Sequence, residues 1–176
     1  HLQVTTEAVG RYSPEEMRKL AYDVIPPGIS IGIREMIPLR QPTPADIKIY
    51  KKLTESGTKI QHICYGPEDV DLLSNLLDKA ELSKNGTWCM FVIGHYSGKI
   101  SNPENISPFV ERLKKNNMNG DWAVCAFSKE EVSCLKMAIK LGGKIRVGFE
   151  NSLLMPDGSI APNNETKVKA ANALFD

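Results

Sequence analysis

The residues best suited to chemistry lie in a short stretch near the C-terminal end, Lys144–Asn151. Three apolar residues alternate there with Arg146, Gly148 and Glu150, the period of two that is typical of a β-strand. One face of the predicted strand is apolar, and the other carries a cation and, further on, an anion. A polar face that ends in a loop such as Pro156–Gly158 is what an active-site strand of a barrel requires. The alternative is an exposed strand face with a structural Arg–Glu pair.

Composition and charge exclude several classes of function. Of the 176 residues 41% are hydrophobic and 24% are charged, with a formal net charge of +1. No basic cluster is longer than Lys114-Lys115, so a nucleic-acid partner is not expected. No apolar run approaches the ~18 residues of a membrane span, and the start does not resemble a secretory signal, which predicts a cytoplasmic protein. The cysteines lack metal-type spacing and are expected to be reduced and buried: Cys64, Cys89, Cys125 and Cys134.

Strand-like runs alternate with helical segments along the whole chain, whose length suits a single domain over residues 1–176. The runs are Leu2–Ala8, Ile29–Met36, Lys59–Tyr65, Trp88–His95, Asp121–Phe127 and Lys144–Asn151. Helix-start signals lie between them, at Ser13-Pro14, Thr43-Pro44, Gly66-Pro67 and Ser128-Lys129-Glu130-Glu131. Regular alternation of strands and helices predicts a parallel sheet with helices packed on it.

The polarity of the first strands distinguishes a barrel from an open sheet. Gln3, Thr5 and Glu7 share one face of the first strand, and Ser30, Gly32 and Arg34 share one face of the second. Both faces of an open parallel sheet meet helices and should be apolar, so a polar face indicates a barrel with a functional interior. We therefore predict an α/β fold of the (β/α)8 TIM-barrel type, with six consecutive βα units present.

The C-terminal stretch resembles a known family. Gly142–Asn151, with Pro156–Gly158 and Ala161–Asn164 behind it, is similar to the closing segment of the β-keto acid cleavage enzymes, zinc-dependent barrels that include the 3-keto-5-aminohexanoate cleavage enzyme. Leu2–Glu16 resembles the third strand of that family and the helix after it, and Trp122–Phe127 resembles its seventh strand. The resemblance covers essentially the whole chain and implies strands three to eight, the C-terminal three-quarters of a barrel.

The resemblance also implies a reaction, in which a β-keto acid condenses with acetyl-CoA and retro-Claisen cleavage yields acetoacetate and a new acyl-CoA. Zinc would polarise the keto-acid carbonyl and hold its carboxylate. By the family pattern Glu150 is a zinc ligand, Arg146 orients the catalytic acid, and Thr5 and Ser30 contact substrate. The expected partners are a small β-keto acid, a CoA ester and further copies of the chain in a homo-oligomer, without nucleic acid or membrane.

Two departures from the family pattern affect this interpretation. The other zinc ligands of the family form a His-X-His pair on the second strand, and no such pair occurs here. A catalytic zinc site uses three protein ligands, so we expect the first two strands to be absent from this chain. Asn151 stands where the family prototype has an aspartate that acts as general base. An amide cannot accept a proton at neutral pH, so either another group is the base or the activity differs.

Other polar residues have simpler interpretations. His62 and His95 are expected to be hydrogen-bonded core residues rather than metal ligands. Lys99 lies in the loop after the fourth strand-like run, where it either meets the CoA phosphates or, as we favour, belongs to a solvated turn. The Glu130-Glu131 pair is explained by its place in the first turn of a helix, where carboxylates complement the helix dipole.

Two alternative functions stay open. One is another barrel enzyme, either a metal-dependent aldolase or lyase or a phosphate-binding aldolase or isomerase, and the phosphate-binding class usually carries glycine-rich loops after its last two strands. The segments at those places, Ser128–Glu131 and Ser152–Met155, are not rich in glycine. The other alternative is an incomplete, non-catalytic barrel fragment, which would unfold or associate by itself because its sheet edges are unpaired.

Overall fold

The structure, a computed structural model, describes residues 2–95, 98 and 100–175. Six parallel strands alternate with helices, and their order in the sheet is their order in the chain. This α/β fold is the one predicted from the alternation and fits part of a (β/α)8 barrel. The strands are β1 (Val4–Thr5), β2 (Gly28–Gly32), β3 (Lys59–Cys64), β4 (Trp88–Ile93), β5 (Trp122–Ala126) and β6 (Lys144–Ile145).

Helices begin at all four predicted signals, and three further helices, over residues 33–36, 107–115 and 164–172, were not predicted. The helices are α1 (Pro14–Val24), α2 (Ile33–Met36), α3 (Pro44–Glu55), α4 (Pro67–Lys79), α5 (Ser107–Lys115), α6 (Glu131–Lys140) and α7 (Asn164–Asn172), with short 3-10 helices at Pro103–Ile106 and Ser128–Glu130. At α1 the Ser13 side chain accepts from the backbone of Glu16, whose carboxylate accepts from the backbone of Ser13. Thr43 and Asp46 form the same capping box at α3. Both boxes satisfy amide groups that have no partner inside the helix.

By its internal contacts the chain divides into two compact units. The first unit consists of His1–Cys89 and Glu111–Asp121, and the second unit of Met90–Val110 and Trp122–Asp176. The single domain over residues 1–176 stays a prediction.

The first unit is built on the parallel ladder from β1 to β3. Thr5 is paired with Ser30, and Ser30 with Gln61. The interior of this unit is apolar and contains fully buried side chains from β2, α3 and α4: Ile29, Ile31, Tyr50, Leu53, Leu73 and Leu76. Burial of these side chains supplies the main stabilisation of the unit.

The second unit is organised around β5, all of whose residues are buried, with α6 packed on it. Phe91 stacks on Phe109 and on Trp122, with ring centroids 4.6 Å and 5.3 Å away. Gly143 lies directly against the indole, since a Cβ atom there would be 2.2 Å from the ring. Only glycine allows β6 to start so close to Trp122.

All six strands are shorter than predicted, three of them by three residues or more, because alternation of polarity continues beyond the hydrogen-bonded ladder. Leu2–Ala8 contributes only Val4–Thr5 as a strand, and β2 ends at Gly32, after which α2 places Arg34 on a helix instead of a strand face. The predicted strand Lys144–Asn151 is also wrong beyond Ile145. Arg146 donates one more backbone bond, to Val124 (2.9 Å), and the chain then turns.

The cysteines are free and buried, as predicted. In the part of the chain that the structure describes, no helix has the length and apolar character needed to cross a membrane.

Candidate active site

Two predicted substrate contacts, Thr5 and Ser30, lie side by side in the first unit. They are register partners on β1 and β2, so their side chains leave the sheet on the same face. Ser30 is buried and Thr5 is exposed. The Ser30 carbonyl accepts from both the backbone and the hydroxyl of Thr6, each at 3.0 Å, which fixes the end of β1.

A carboxylate and a phenol lie next to this pair. The Thr5 hydroxyl is 3.4 Å from a Glu7 carboxylate oxygen, and the Tyr65 hydroxyl donates to the other at 3.1 Å. Glu35 accepts from the backbone of Ala8 at 2.8 Å. Burial, and then the negative charges of Glu35 and Glu7, raise the pKa of Tyr65 well above its ordinary value. Tyr65 therefore stays protonated and acts as a donor. The alternation in the sequence placed Glu7 with Thr5, but no sequence signal indicated Tyr65.

Arg34, predicted on the polar face of the second strand, is instead part of an ion-pair network. Its Nε donates to both carboxylate oxygens of Asp69, at 2.8 Å and 3.1 Å, and its Nη2 donates to Glu68 at 3.0 Å. Asp69 also accepts from the backbone of Tyr65 and Gly66, so the network fixes the connection between β3 and α4.

The other predicted site residues, Arg146, Glu150 and Asn151, lie together in the second unit. Glu150 and Asn151 are in a turn, and the Asn151 amide donates to the Gly148 carbonyl at 3.0 Å. The Glu150 side chain is 70% exposed, and its carboxylate is 3.7 Å from Arg146 Nη2. The expectation that Glu150 lies on the last strand is corrected, because β6 ends at Ile145.

Two buried donors belong to residues close to Glu150 in sequence. Asn151 is buried, and its Nδ2 has no hydrogen-bond partner among the described residues; the same is true of Arg146 Nε. Buried donors without acceptors cost free energy, so native structures usually satisfy them. These two unsatisfied donors distinguish this stretch from an ordinary surface loop.

The described residues do not by themselves complete a zinc site. Among residues 2–95, 98 and 100–175 no group of three or more His, Cys, Asp or Glu side chains could hold a metal ion. An exposed carboxylate such as Glu150 fits the role of one ligand, whereas a catalytic zinc needs three from protein.

His62 and His95 differ in burial. His62 is buried in the first unit, where its Nδ1 donates to the Trp88 carbonyl at 3.0 Å. Burial lowers its pKa to about 4, although the hydrogen bond acts in the opposite direction. His62 is thus the hydrogen-bonded core residue that was predicted. His95 is half-buried, with its ring 6.3 Å from that of Phe127, and Lys99 lies outside the described residues.

A buried ion pair supports the segment after the turn. Lys167 donates to Glu131 at 2.6 Å and to the Leu154 carbonyl at 3.0 Å, and both charged side chains are 3% exposed. Burial raises the pKa of Glu131, and Lys167 acts to lower it. The interpretation of Glu131 as a simple first-turn carboxylate was incomplete, since sequence position gave no indication of a partner 36 residues away.

Helix α7 also contacts the turn itself. Asn164 Oδ1 accepts from the Phe149 amide at 3.0 Å, one residue before Glu150. The loop between turn and helix is closed by an antiparallel bridge between Leu154 and Ile160. The turn, the loop and the helix are therefore one hydrogen-bonded substructure.

A comparison with protein families gives one match that spans almost the whole chain. The model of the family described as beta-keto acid cleavage enzyme matches residues 2–176.

Proposed function

Because the chain belongs to the beta-keto acid cleavage enzyme family, we propose that it catalyses the zinc-dependent exchange of acyl groups between a β-keto acid and acetyl-CoA. The bond between the α and β carbons of the keto acid breaks, and the α carbon bonds to the acetyl carbonyl carbon. The CoA thiol passes from the acetyl group to the released acyl group. The products are acetoacetate and a new acyl-CoA, and the exchange consumes no oxidant or reductant.

The observation that best supports this proposal is the turn with its exposed Glu150 carboxylate and the unsatisfied donors of Arg146 and Asn151. Glu150 would be one zinc ligand, and a zinc ion held there would act as a Lewis acid on the keto-acid carbonyl. The two donors would then have an acceptor in the oxygens of the bound acid. Asn151 orients substrate in this scheme and does not move a proton, because an amide is not a base.

Thr5 and Ser30 are proposed as substrate contacts from the same face of the sheet. Their hydroxyl groups can each donate to and accept from a polar substrate group. Glu7, which accepts from Tyr65 and Thr5, keeps the environment of Thr5 polar.

Isotopic labelling tests the reaction directly. The zinc-loaded protein is incubated with a panel of β-keto acids and acetyl-CoA labelled with 13C in the acetyl group. The proposal predicts labelled acetoacetate together with an unlabelled acyl-CoA that matches the keto acid supplied. Consumption of keto acid without label in acetoacetate would contradict it, and the panel identifies which side chain is accepted.

We also propose that the protein associates with further copies of itself. Large apolar side chains on the first unit are strongly exposed, among them Leu2, Val9 and Leu39, and a contiguous patch of such residues marks an interaction surface. Light scattering should give a mass above that of one chain. A monomeric mass at micromolar concentration would contradict this proposal.

A further inference from the structure

We propose that the first unit carries a binding site for a small neutral molecule with a hydroxyl group, in a cleft between β3, α3 and α4. The cleft has a volume of about 400 Å³ and is lined by side chains that lie between Tyr50 and Trp88 in sequence. This volume is within the range of small-molecule sites, about 300–1,000 Å³. The proposal goes beyond the acyl exchange and does not depend on it.

The cleft lies on the other face of the sheet from the proposed substrate contact Ser30. Ser30 is paired with Gln61 in the ladder, so both side chains leave the sheet on one face. His62 follows Gln61 on β3 and lines the cleft from the opposite face. The cleft also contacts the first residues of β3 and β4, whereas barrel active sites lie at the carboxyl ends of the strands. It is therefore separate from the substrate contacts.

Two buried polar groups at the inner end of the cleft lack hydrogen-bond partners. His62 is 5% exposed and Tyr50 is completely buried, and their rings stack with centroids 5.8 Å apart. Neither Nε2 of His62 nor the hydroxyl of Tyr50 has a partner among the described residues. Buried polar groups of native proteins nearly always have a partner, in the protein or in a bound molecule. The cleft provides room for such a molecule beside both groups.

The other polar side chains of the cleft leave recognition to His62 and Tyr50. The buried hydroxyl groups of Thr58 and Thr87 already donate to backbone carbonyls, each at 2.7 Å. The remaining polar lining residues are exposed and form the rim: Thr54, Lys59, Ser83 and Asn85.

His62 determines which ligand group fits the inner end. Its Nδ1 donates to the Trp88 carbonyl at 3.0 Å, so in the neutral ring Nε2 carries a lone pair and can only accept. Burial keeps the ring neutral by lowering the pKa of His62 to about 4. The ligand must therefore present a donor, which a carboxylate cannot. A hydroxyl group can donate to His62 and accept from Tyr50.

The lining selects an uncharged ligand with an apolar body. Among the described residues that line the cleft there is no carboxylate, and the cation, Lys59, is at the exposed rim. An ammonium group at the inner end would be buried without a counter-ion, which is unfavourable. The walls between rim and inner end are apolar: Ile60, Leu77, Leu82 and Trp88. An alcohol or a phenol satisfies these conditions.

The experiment compares phenol, toluene and benzoate as probes, because they are similar in size and differ in their polar group. Dissociation constants are measured by titration followed with nuclear magnetic resonance, using the signals of the Trp88 backbone and the His62 ring. Wild type should bind phenol with a dissociation constant of about 1 mM, and about fivefold more tightly than toluene or benzoate, since phenol alone offers a donor.

Two substitutions each remove one partner of the hydroxyl group. His62→Asn keeps a donor for the Trp88 carbonyl and loses the acceptor, whereas Tyr50→Phe loses only a hydroxyl. Each should weaken phenol binding by about three- to tenfold and leave toluene binding within about twofold of wild type. Thr54→Val, at the rim, is the matched control and should leave the binding of both probes unchanged. Tm of each variant shows that it is folded.

Three results would overturn the proposal. Phenol binding to wild type that does not saturate below about 10 mM would mean that ordered water alone occupies the cleft. Equal affinities of wild type for phenol and toluene would mean that the buried groups do not recognise the hydroxyl group. Equal losses of phenol affinity in Thr54→Val and Tyr50→Phe would mean that phenol binds at the rim. The comparison of probes on wild type stands even if a variant fails to fold.

Discussion

Replacing Lys167 with methionine tests how strongly its buried ion pair with Glu131 holds helix α7 and the loop before it in place. The ammonium group is 3% exposed and has two acceptors, Glu131 at 2.6 Å and the Leu154 carbonyl at 3.0 Å. Methionine has a similar volume but no charge, so the substitution leaves the Glu131 carboxylate buried without its cation. Breaking a buried pair in this way costs about 3–5 kcal/mol. We expect Lys167→Met to lose that much free energy of unfolding near pH 8.

The loss should depend on pH, with a sign that follows from Glu131. Burial raises the pKa of Glu131 and Lys167 lowers it, so removal of Lys167 raises that pKa further. A carboxyl group whose pKa is higher folded than unfolded favours folding at low pH, and this contribution disappears as pH rises through the folded pKa. The deficit of Lys167→Met should therefore be small at pH 4.5 and full at pH 8.

Urea unfolding at several pH values measures this deficit, and two further variants control it. Lys169→Met alters the same helix at a position 74% exposed, where the pair with Glu165 is also exposed, and should change stability by less than about 0.5 kcal/mol. The double variant Lys167→Met with Glu131→Leu removes both charges and should recover to within about 1–2 kcal/mol of wild type. A deficit below about 1 kcal/mol at pH 8, or one that is equal at both pH values, would refute the reasoning.

Three further substitutions test the site and the core. Glu150→Gln should lose zinc occupancy and turnover together, whereas Arg146→Ala should keep zinc and lose rate by about 10²-fold, since it positions reacting groups. Elemental analysis measures zinc occupancy, and the labelling assay measures turnover. Unchanged turnover in either variant would contradict the role proposed for the substituted residue. Burial lowers the pKa of His62 to about 4 in the folded chain. As the pH falls, the unfolded chain therefore binds a proton at this histidine before the folded chain does. Wild type should thus lose about 3 kcal/mol of stability between pH 6.5 and 4 that His62→Gln does not lose; parallel stability curves would contradict this.

The sequence predicted local structure well where a signal is itself local. Ser13-Pro14 and Thr43-Pro44 mark the starts of α1 and α3 because the capping atoms and the amides they satisfy lie within four residues of each other. Strand ends were predicted poorly, since alternation reports which side a residue faces but not whether a hydrogen-bond partner is present. The last backbone hydrogen bond between β5 and the chain after β6 joins the Arg146 amide to the Val124 carbonyl. The polar pattern continues from there to Glu150 without a strand.

The sequence pointed to residues around the turn but not to the contacts that support the turn. Arg146, Glu150 and Asn151 were identified from one stretch, and the structure gathers them at one turn. The turn is bonded to Asn164, 15 residues after Phe149, and the helix that carries Asn164 is held by a pair 36 residues apart, Glu131 and Lys167. Contacts at such separations are set by tertiary packing, which a single sequence does not encode in any short pattern.

Helix α7 shows why this support matters for function. Its buried side chains are Lys167 and Ala171, so apolar burial fixes its orientation only weakly. The orientation depends instead on polar contacts, to α6 and the loop through Lys167 and to the turn through Asn164. A change in these contacts should move the Glu150 turn before it disturbs β5 and the apolar interior of the second unit. Substitutions on this face of α7 are therefore expected to alter the site while the sheet remains folded.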